Sequence, residues 1–468
     1  MTSSVAEGQA DAAEAAALAG RFPPGFAFGV ASSAYQIEGA AAEDGRGPSI
    51  WDTFSHTPGR TRNGETGDVA CDHYHRWRED VALMRDLGMA SYRFSVSWSR
   101  VLPEGIGTVN EPGLDFYDAL VDGLLAAGIT PLPTLYHWDL PQALYDRGGW
   151  TSSEAPAWFA EYSGVIAERL GDRVKRWLTL NEPMVFAFVA NAYGRHAPGL
   201  TDWHTALRVA DGALRGHAAA ANQIRATVSG AEIGIALDPN WVEPASDSAA
   251  DAEAANRHLT IEHRWFADPL FGRPYPEIAV RAHRDAGHLP VDIVTDRPPI
   301  AGGTLDFLGL NYYTREVIAA DSDAPFGLRV APLPDVQRTS MGWEVYPAGL
   351  LKVLDWLRTE YAPPEIMITE NGSAFHEPAL APDADVVDDP ERTRFLADHL
   401  AVAAQAINEG IPLTGYYAWS LLDNFEWAEG YAQRFGIVHV DYPTQRRIVK
   451  RSGRLYQAVA QAHRSARG

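Results

Sequence analysis

Two glutamates lie at the ends of apolar, strand-like segments, and each has an asparagine as its neighbour. Glu182 follows Asn181, and Glu370 precedes Asn371. Glutamate is a poor strand residue, and a carboxylate is costly to bury without partners. A chain that makes this arrangement twice is expected to direct two carboxyl groups into one pocket. Such a pair hydrolyses glycosidic bonds, because one carboxyl group donates a proton to the leaving oxygen while the other attacks or stabilises the sugar cation.

The aromatic residues favour this chemistry over a structural role for the two glutamates. Each glutamate alone is equally well explained as a capping or turn residue. However, the chain has 14 Trp, 18 Tyr and 17 Phe, and several tryptophans stand beside polar residues, as in His137-Trp138-Asp139 and Glu426-Trp427. Sugar rings have apolar faces that stack on indoles and hydroxyls that need fixed polar partners. The sequence therefore predicts a small carbohydrate ligand.

Charge and composition argue against several other classes of protein. The formal net charge of −22 is unlike that of a nucleic-acid-binding protein, which needs a basic surface. No apolar run has the length of a transmembrane helix, so no contact with a membrane is predicted. The single cysteine, Cys71, excludes an internal disulfide and a multi-cysteine metal site. Residues 1–20 are rich in alanine and lack the basic start of a secretory signal, so we expect a disordered or loosely helical lead-in and a cytoplasmic protein.

The elements that position the candidate residues alternate between apolar strands and helices. This alternation, with no composition break, predicts an α/β fold of the (β/α)8 TIM-barrel type, as one domain over residues 21–468. Three long connections, 245–255, 321–335 and 376–390, are predicted as surface loops. The predicted strands cover residues 27–33, 91–97, 131–136, 176–179, 232–237, 307–310, 365–369 and 415–419. The predicted helices cover residues 77–87, 113–127, 155–170, 203–228, 347–361 and 392–409.

Polar residues follow nearly every predicted strand. Barrel enzymes place their catalytic residues at the carboxyl ends of the strands, where all eight ends meet at one rim. The concentration of polar side chains there therefore predicts one shared site. The candidate residues at these ends are Gln36, Arg93, His137, Asn181, Glu182, Asn311, Tyr313, Glu370, Trp419, Glu426 and Trp427.

The chain resembles glycoside hydrolase family 1, the retaining β-glucosidases and their relatives. The resemblance runs over residues 26–456 and rests on four motifs in the family's order, FAFGVASSAYQIEG at 26–39, TLNEP at 179–183, ITENG at 368–372 and NFEWA at 424–428. It implies hydrolysis of terminal β-D-glucosyl residues from β-glucosides or cello-oligosaccharides, with side activity on β-fucosides and β-galactosides. It implies neither a metal nor an organic cofactor.

The same resemblance implies a role for each candidate residue. Glu182 is the general acid/base and Glu370 the nucleophile. The residues that it assigns to the hydroxyls of the cleaved sugar are Gln36, His137, Asn181, Glu426 and Trp427. Those that it places around them are Trp419 under the sugar ring, Arg93 and Tyr313 beside the nucleophile, Trp343 at the leaving-group site and Asn311 in the pocket.

Elementary electrostatics agrees with this division. Arg93 beside Glu370 is expected to lower the pKa of that carboxyl group and keep it ionised. Glu182 in a drier setting is expected to keep its proton until the leaving group needs it. Once Glu370 is esterified by sugar, its charge is gone, and the pKa of Glu182 should fall. Retention predicts carboxyl groups about 5–5.5 Å apart.

Other functions are possible for the chain, and one residue differs from the family pattern. A non-catalytic binding relative would be expected to have lost one carboxylate, and an inverting or starch-acting enzyme would not have this order of motifs. Family members for 6-phosphorylated sugars replace the region of Glu426, so a neutral sugar is favoured. The run 71–75, Cys-Asp-His-Tyr-His, suggests metal ligands, but a structural role is preferred. Asp238 stands where the family often has Asn, and its effect is open, as are the aglycone and the oligomeric state.

Overall fold

The structure, a computed structural model, describes residues 15–377, 380 and 384–465. Three of its described strands, Ser91–Ser95, Phe307–Asn311 and Ile366–Asn371, are buried at every residue, as parallel strands covered on both faces are expected to be. Within the described residues the strands are β1 (Ala27–Ala31), β2 (Ser91–Ser95), β3 (Thr130–Tyr136), β4 (Arg176–Asn181), β5 (Glu232–Leu237), β6 (Trp241–Pro244), β7 (Phe307–Asn311), β8 (Arg315–Ala320), β9 (Leu328–Val330), β10 (Ile366–Asn371), β11 (Leu413–Trp419), β12 (Val438–Asp441) and β13 (Arg446–Val449).

Eight of these strands close into a parallel barrel in the order β1, β2, β3, β4, β5, β7, β10 and β11. β11 returns to β1, with Gly415 beside Ala27 and Trp419 beside Ala31. The predicted barrel is confirmed, and each of its eight strands overlaps a predicted strand. Because the strands are parallel, their carboxyl ends meet at one rim, and the side chains that follow them face a common space.

Helices surround the barrel, and each of the six predicted helices is present. The α-helices are α1 (Ala34–Ile37), α2 (Ile50–Ser55), α3 (His73–Leu87), α4 (Trp98–Val101), α5 (Glu111–Ala126), α6 (Gln142–Tyr145), α7 (Ala155–Leu170), α8 (Trp203–Thr227), α9 (Ala249–Leu259), α10 (Trp265–Leu270), α11 (Glu277–Asp285), α12 (Pro347–Tyr361), α13 (Pro390–Asn408) and α14 (Arg451–Ser465). No helix among the described residues is both long and apolar enough to cross a membrane.

The long helix α8 shows how local sequence fixes these elements. Its N-cap residue, Asp202, accepts hydrogen bonds from the backbone N–H groups of His204 and Thr205, which satisfies two donors that the helix leaves free. Further along, a Cβ atom at Gly212 would lie 2.0 Å from the carbonyl oxygen of Trp150. Only glycine permits this approach, which brings α8 against the segment that follows β3.

The connections depart from the sequence prediction in two places. The predicted loop 245–255 is wrong for its second half, because Ser248 accepts from the backbone N–H of Asp251 and starts helix α9. The predicted loop 321–335 contains strand β9, which pairs with β8, while β8 also pairs with β6. These short strands carry too weak an alternation to be read alone. Part of the predicted loop 376–390 lies outside the described residues.

The predicted lead-in is described only from residue 15. Residues 15–19 form a helical turn in which Ala15, Leu18 and Ala19 are buried in the main core. At least part of the predicted lead-in therefore belongs to the folded core. Residues 1–14 lie outside the described part of the chain, so the prediction made for them stays a prediction.

Candidate active site

The two glutamates lie at the carboxyl ends of β4 and β10, two barrel strands that are separated by β5 and β7. Glu370 lies within β10, and Glu182 follows β4 directly, with its backbone N–H donating to the carbonyl of Ala236 in β5 at 2.9 Å. Glu182 has a φ of 48°, a left-handed conformation that costs energy in a residue with a Cβ atom. Both side chains are almost fully buried, at 5% and 3% exposure. Two buried carboxyl groups thus face the rim, one of them on a strained backbone.

Glu370 is held by a cation and a phenol. Nη1 of Arg93 donates to Oε1 of Glu370 at 2.5 Å, and the hydroxyl of Tyr313 donates to Oε2 at 2.5 Å. Arg93 is itself fixed by Thr134, whose Oγ1 accepts from its Nε at 3.1 Å. The two carboxylate oxygens are therefore oriented from different strands, and one of them has a charged donor.

Glu182 is joined to this arrangement by two asparagines. Nδ2 of Asn311 lies 2.6 Å from Oε1 of Glu182 and 3.0 Å from Oδ1 of Asn181. Nη2 of Arg93 donates to the same Asn181 oxygen at 2.5 Å. A continuous path of hydrogen bonds therefore runs from Glu182 through the two asparagines and Arg93 to Glu370. Movement of any of these groups changes the geometry of both carboxyl groups.

The two carboxyl groups differ in pKa. Burial raises the pKa of Glu182 well above its ordinary value, and the nearby carboxylates of Glu370 and Asp238 raise it further. Burial also raises the pKa of Glu370, but Arg93 and Tyr313 act in the opposite direction. The expectation that Arg93 lowers this pKa is right for the sign of its effect and wrong for the net shift, because burial outweighs it. Glu182 is the group that retains a proton, and Glu370 the one that ionises first.

A second set of polar groups lies on the far side of the site. Nε2 of Gln36 donates to Oδ1 of Asn424 at 3.0 Å and contacts Oε2 of Glu426 at 3.3 Å, and its Oε1 accepts from Ser33 at 2.6 Å. Burial and then the charge of Glu370 raise the pKa of Glu426 to about 8. At neutral pH the Glu426 carboxyl group is therefore mostly protonated, a form that can donate as well as accept a hydrogen bond.

His137 lies between these two halves. Its ring is 5.8 Å from that of Trp419 and 5.8 Å from that of Trp427, roughly parallel to both. Burial and the charge of Arg93 lower its pKa well below the usual range, so the ring is neutral. Its Nε2 accepts from Nδ2 of Asn181 at 3.0 Å, which places the proton on Nδ1.

Aromatic rings form the remaining walls. Trp343 lies 5.3 Å from Tyr313, measured between ring centroids, and Trp427 lies 4.5 Å from Trp138. Trp343 is half-buried, whereas Trp427 is 3% exposed. Hydrogen bonds or ring contacts therefore join ten of the twelve predicted site residues to one another, and the other two, Gln36 and Glu426, contact each other.

Sequence reasoning missed three supporting residues. Thr134 orients Arg93, Thr369 donates to Oδ1 of Asn311 at 2.7 Å, and Ser33 orients Gln36. Small hydroxyl residues within strands carry no distinctive signal. Asp238 does not bind Tyr313, which donates to Glu370 instead, and burial raises the pKa of Asp238 to about 8. In the run 71–75, Nδ1 of His73 lies 2.8 Å from Oδ2 of Asp80, a contact that supports the preferred structural role.

Comparisons with known proteins agree with this geometry. The profile of glycosyl hydrolase family 1 matches residues 18–465. The chain is 49% identical to β-glucosidase A of Thermotoga maritima, over 94% of this chain and 97% of that protein. It is 46% identical to a 1,4-β-D-glucan glucohydrolase of Thermotoga neapolitana, over 94% and 98%. The solved structure of the Thermotoga maritima β-glucosidase in complex with deoxynojirimycin superposes with a TM-score of 0.91 at 49% identity, over 94% of this chain and 99% of that one.

Proposed function

The chain belongs to glycosyl hydrolase family 1, and we propose how its own residues carry out the retaining hydrolysis of β-glucosides. The family and its β-glucosidase relatives establish the reaction class. The assignment of each step to a residue is supported by the contacts described above. The observation that carries it is the hydrogen-bonded path between two buried carboxyl groups with separated pKa values.

In the first step Glu370 attacks and Glu182 gives up its proton. An oxygen of Glu370 forms a bond to the anomeric carbon while the bond from that carbon to the leaving oxygen breaks. The electron pair of the broken bond stays on the leaving oxygen, which takes the proton of Glu182. The product is a glucosyl ester of Glu370 in the α configuration.

In the second step the same groups act in reverse. The ester carries no charge, so the repulsion that raises the pKa of Glu182 is lost, and Glu182 acts as a base. Water attacks the anomeric carbon, Glu182 takes its proton, and the ester bond breaks to return Glu370 as a carboxylate. Two inversions give net retention. Arg93 and Tyr313 bind the oxygens on which the negative charge reappears.

Glucose recognition is assigned to the second set of polar groups. Gln36 contacts both Asn424 and Glu426, and the three residues form one hydrogen-bonded unit on the far side of the pocket from Glu182. Because its pKa is raised to about 8, Glu426 is mostly protonated at neutral pH. Its carboxyl group is a partner for neutral hydroxyls, and this favours a neutral sugar.

We expect Glu426→Ala to impair cleavage of a β-glucoside much more than cleavage of a β-fucoside. A fucoside has no 6-hydroxyl group, so the substitution removes one hydrogen bond fewer from it than from a glucoside. The loss of such a hydrogen bond costs on the order of 1.5–3 kcal/mol, or roughly ten- to a hundredfold in kcat/KM if it is made in the transition state. The measurement is kcat/KM for both nitrophenyl glycosides. The wild type should cleave both and reject 6-phosphoglucosides; preference for the phosphorylated sugar would refute the assignment.

Short cello-oligosaccharides are the proposed natural substrates, with β-fucosides and β-galactosides as side substrates. This extends to the chain what the printed name of its glucan glucohydrolase relative says of that protein. We also propose a cytoplasmic location and a part in cellulose breakdown. The one cysteine, Cys71, is a buried free thiol, which suits a reducing compartment. A panel of nitrophenyl glycosides and cello-oligosaccharides of increasing length tests the substrate range.

A further inference from the structure

A buried cluster of charged side chains lies beneath the loop of residues 424–427, which carries the proposed glucose-recognition groups. It joins four parts of the chain that are far apart in sequence. We call it the ion cluster, and its members are Glu377, Asp389, Arg392, Asp423, Arg434, His439 and Lys450.

Lys450 is at the centre of the ion cluster. Its side chain is fully buried, and its Nζ lies 2.7 Å from Oδ1 of Asp423 and in close contact with Oε1 of Glu377. Burial alone would raise the pKa of Glu377, but the hydrogen bond from His439 and the charges of Lys450 and Arg392 hold it well below its usual range. A cation at this depth persists only where carboxylates neutralise it. Lys450 is therefore committed to these two partners.

The Asp423 side of the cluster leads directly to the glucose-recognition loop. Oδ1 of Asp423 also accepts from the backbone N–H of Gly436 at 3.0 Å, and Oδ2 accepts from Arg434 at 2.8 Å. The next residue, Asn424, accepts the hydrogen bond from Gln36. The position of Asp423 thus sets where the loop begins.

The Glu377 side leads to the strand of the proposed nucleophile. Arg392 lies 3.0 Å from Glu377, and its Nε donates to the carbonyl of Ser373 at 3.0 Å. Ser373 follows β10 by two residues, and β10 contains Glu370. Through Lys450 the cluster therefore connects the segment after the nucleophile strand with the start of the recognition loop.

The same groups do not form a metal site. One oxygen each of Glu377 and Asp423 and one nitrogen of His439 lie within 4.8 Å of one another, a spacing that suits a metal ion. However, the ammonium group of Lys450 contacts both carboxylates and supplies the positive charge that they need. The cluster is an ionic connection between two loops.

We propose that Lys450 is a positioning residue for glucose recognition, which holds the loop of residues 424–427 in register with Glu370 by bridging Asp423 and Glu377. Lys450 touches no substrate. The inference rests on the proposed role of Glu426 and deepens it. According to this inference, the preference for sugars with a 6-hydroxyl group depends partly on Lys450, a side chain outside the pocket.

Lys450→Met removes the charge and keeps the length of the side chain. We expect kcat/KM for nitrophenyl β-glucoside to fall at least tenfold, mainly through KM, because the recognition loop loses its fixed position. For the β-fucoside we expect a fall of no more than about threefold, so the fucoside-to-glucoside ratio of kcat/KM rises. Glu377→Gln removes the charge of Glu377 and keeps the size of its side chain. This variant should raise the same ratio, and it tests the proposal if Lys450→Met does not fold.

Arg447→Met is the matched control. Arg447 lies in β13, close to Lys450, and forms a buried ion pair with Asp80 at 3.0 Å, yet it contacts no carboxylate of the ion cluster. Its loss should lower the melting temperature and leave the ratio at the wild-type value. A ratio within twofold of wild type in the folded cluster variants, or an equal rise in Arg447→Met, would overturn the inference. An unchanged ratio in Glu426→Ala would instead count against the proposed function.

Discussion

Glu370→Ala is expected to lower the turnover of β-glucosides by roughly 10⁴-fold or more, the scale seen when a covalent nucleophile is removed. The reason is that, in the described part of the chain, Glu370 is the carboxylate that both Arg93 and Tyr313 hold in place. Added azide should restore cleavage of a dinitrophenyl β-glucoside, because the small anion fits the space left by the side chain. A single inversion then gives the α-glucosyl azide, identified by proton NMR.

Glu365→Ala is the matched control for this experiment. Glu365 directly precedes β10, at the end opposite to Glu370, where it pairs with Arg176 at 2.6 Å. Its loss should lower stability slightly and leave turnover near the wild-type value. A β-configured azide from Glu370→Ala, or retained activity without azide, would show that another residue is the nucleophile.

The loss of activity in Glu182→Ala is expected to depend on the leaving group of the substrate. Glucosides with poor leaving groups should lose roughly 10²–10⁴-fold in kcat/KM, because protonation of the leaving oxygen is lost. A dinitrophenyl glucoside needs no proton, so it should still glycosylate the enzyme rapidly. Azide should then attack the ester of Glu370 and give the β-glucosyl azide after two inversions.

The pH dependence of the same variant gives a second readout. In the wild type, kcat/KM should fall as pH rises through the raised pKa of Glu182, because only the protonated form donates. This basic limb should be absent from the profile of Glu182→Ala when wild type and variant are compared with the same substrate, one whose leaving group needs a proton. If the limb persists, or if the α-azide forms, the proton donor is a different group.

The sequence predicts the barrel because apolar runs that match buried strands alternate with helical patterns, and both patterns can be recognised without tertiary information. The strand of Glu370 and the helix 155–170 are clear examples of the two patterns. The short strands β6, β8 and β9 escape this reasoning, since each is held mainly by pairing with a distant segment. Helix α9 was missed because its acidic, alanine-rich sequence was interpreted as a loop, although Ser248 is a good N-cap.

The sequence predicts which residues form the site, but it does not predict their pKa values. Strand-end position and family motifs select the carboxylates, amides and tryptophans that the structure brings together. The net pKa shifts of Glu370 and Glu426 depend on how much water the fold removes, which no local pattern records. Likewise, Lys450 carries no motif of its own, and its link to Asp423 and Glu377 exists only in three dimensions.

The most direct test of the central claim is to trap the covalent intermediate with a dinitrophenyl 2-deoxy-2-fluoro-β-glucoside. The fluorine slows both steps by destabilising the cationic transition state, while the good leaving group keeps formation of the ester faster than its hydrolysis. Protease digestion and tandem mass spectrometry then locate the added sugar. The proposed mechanism predicts the label on Glu370, within the peptide that contains Thr369 and Asn371. A label on Glu182 or on any other residue would contradict it.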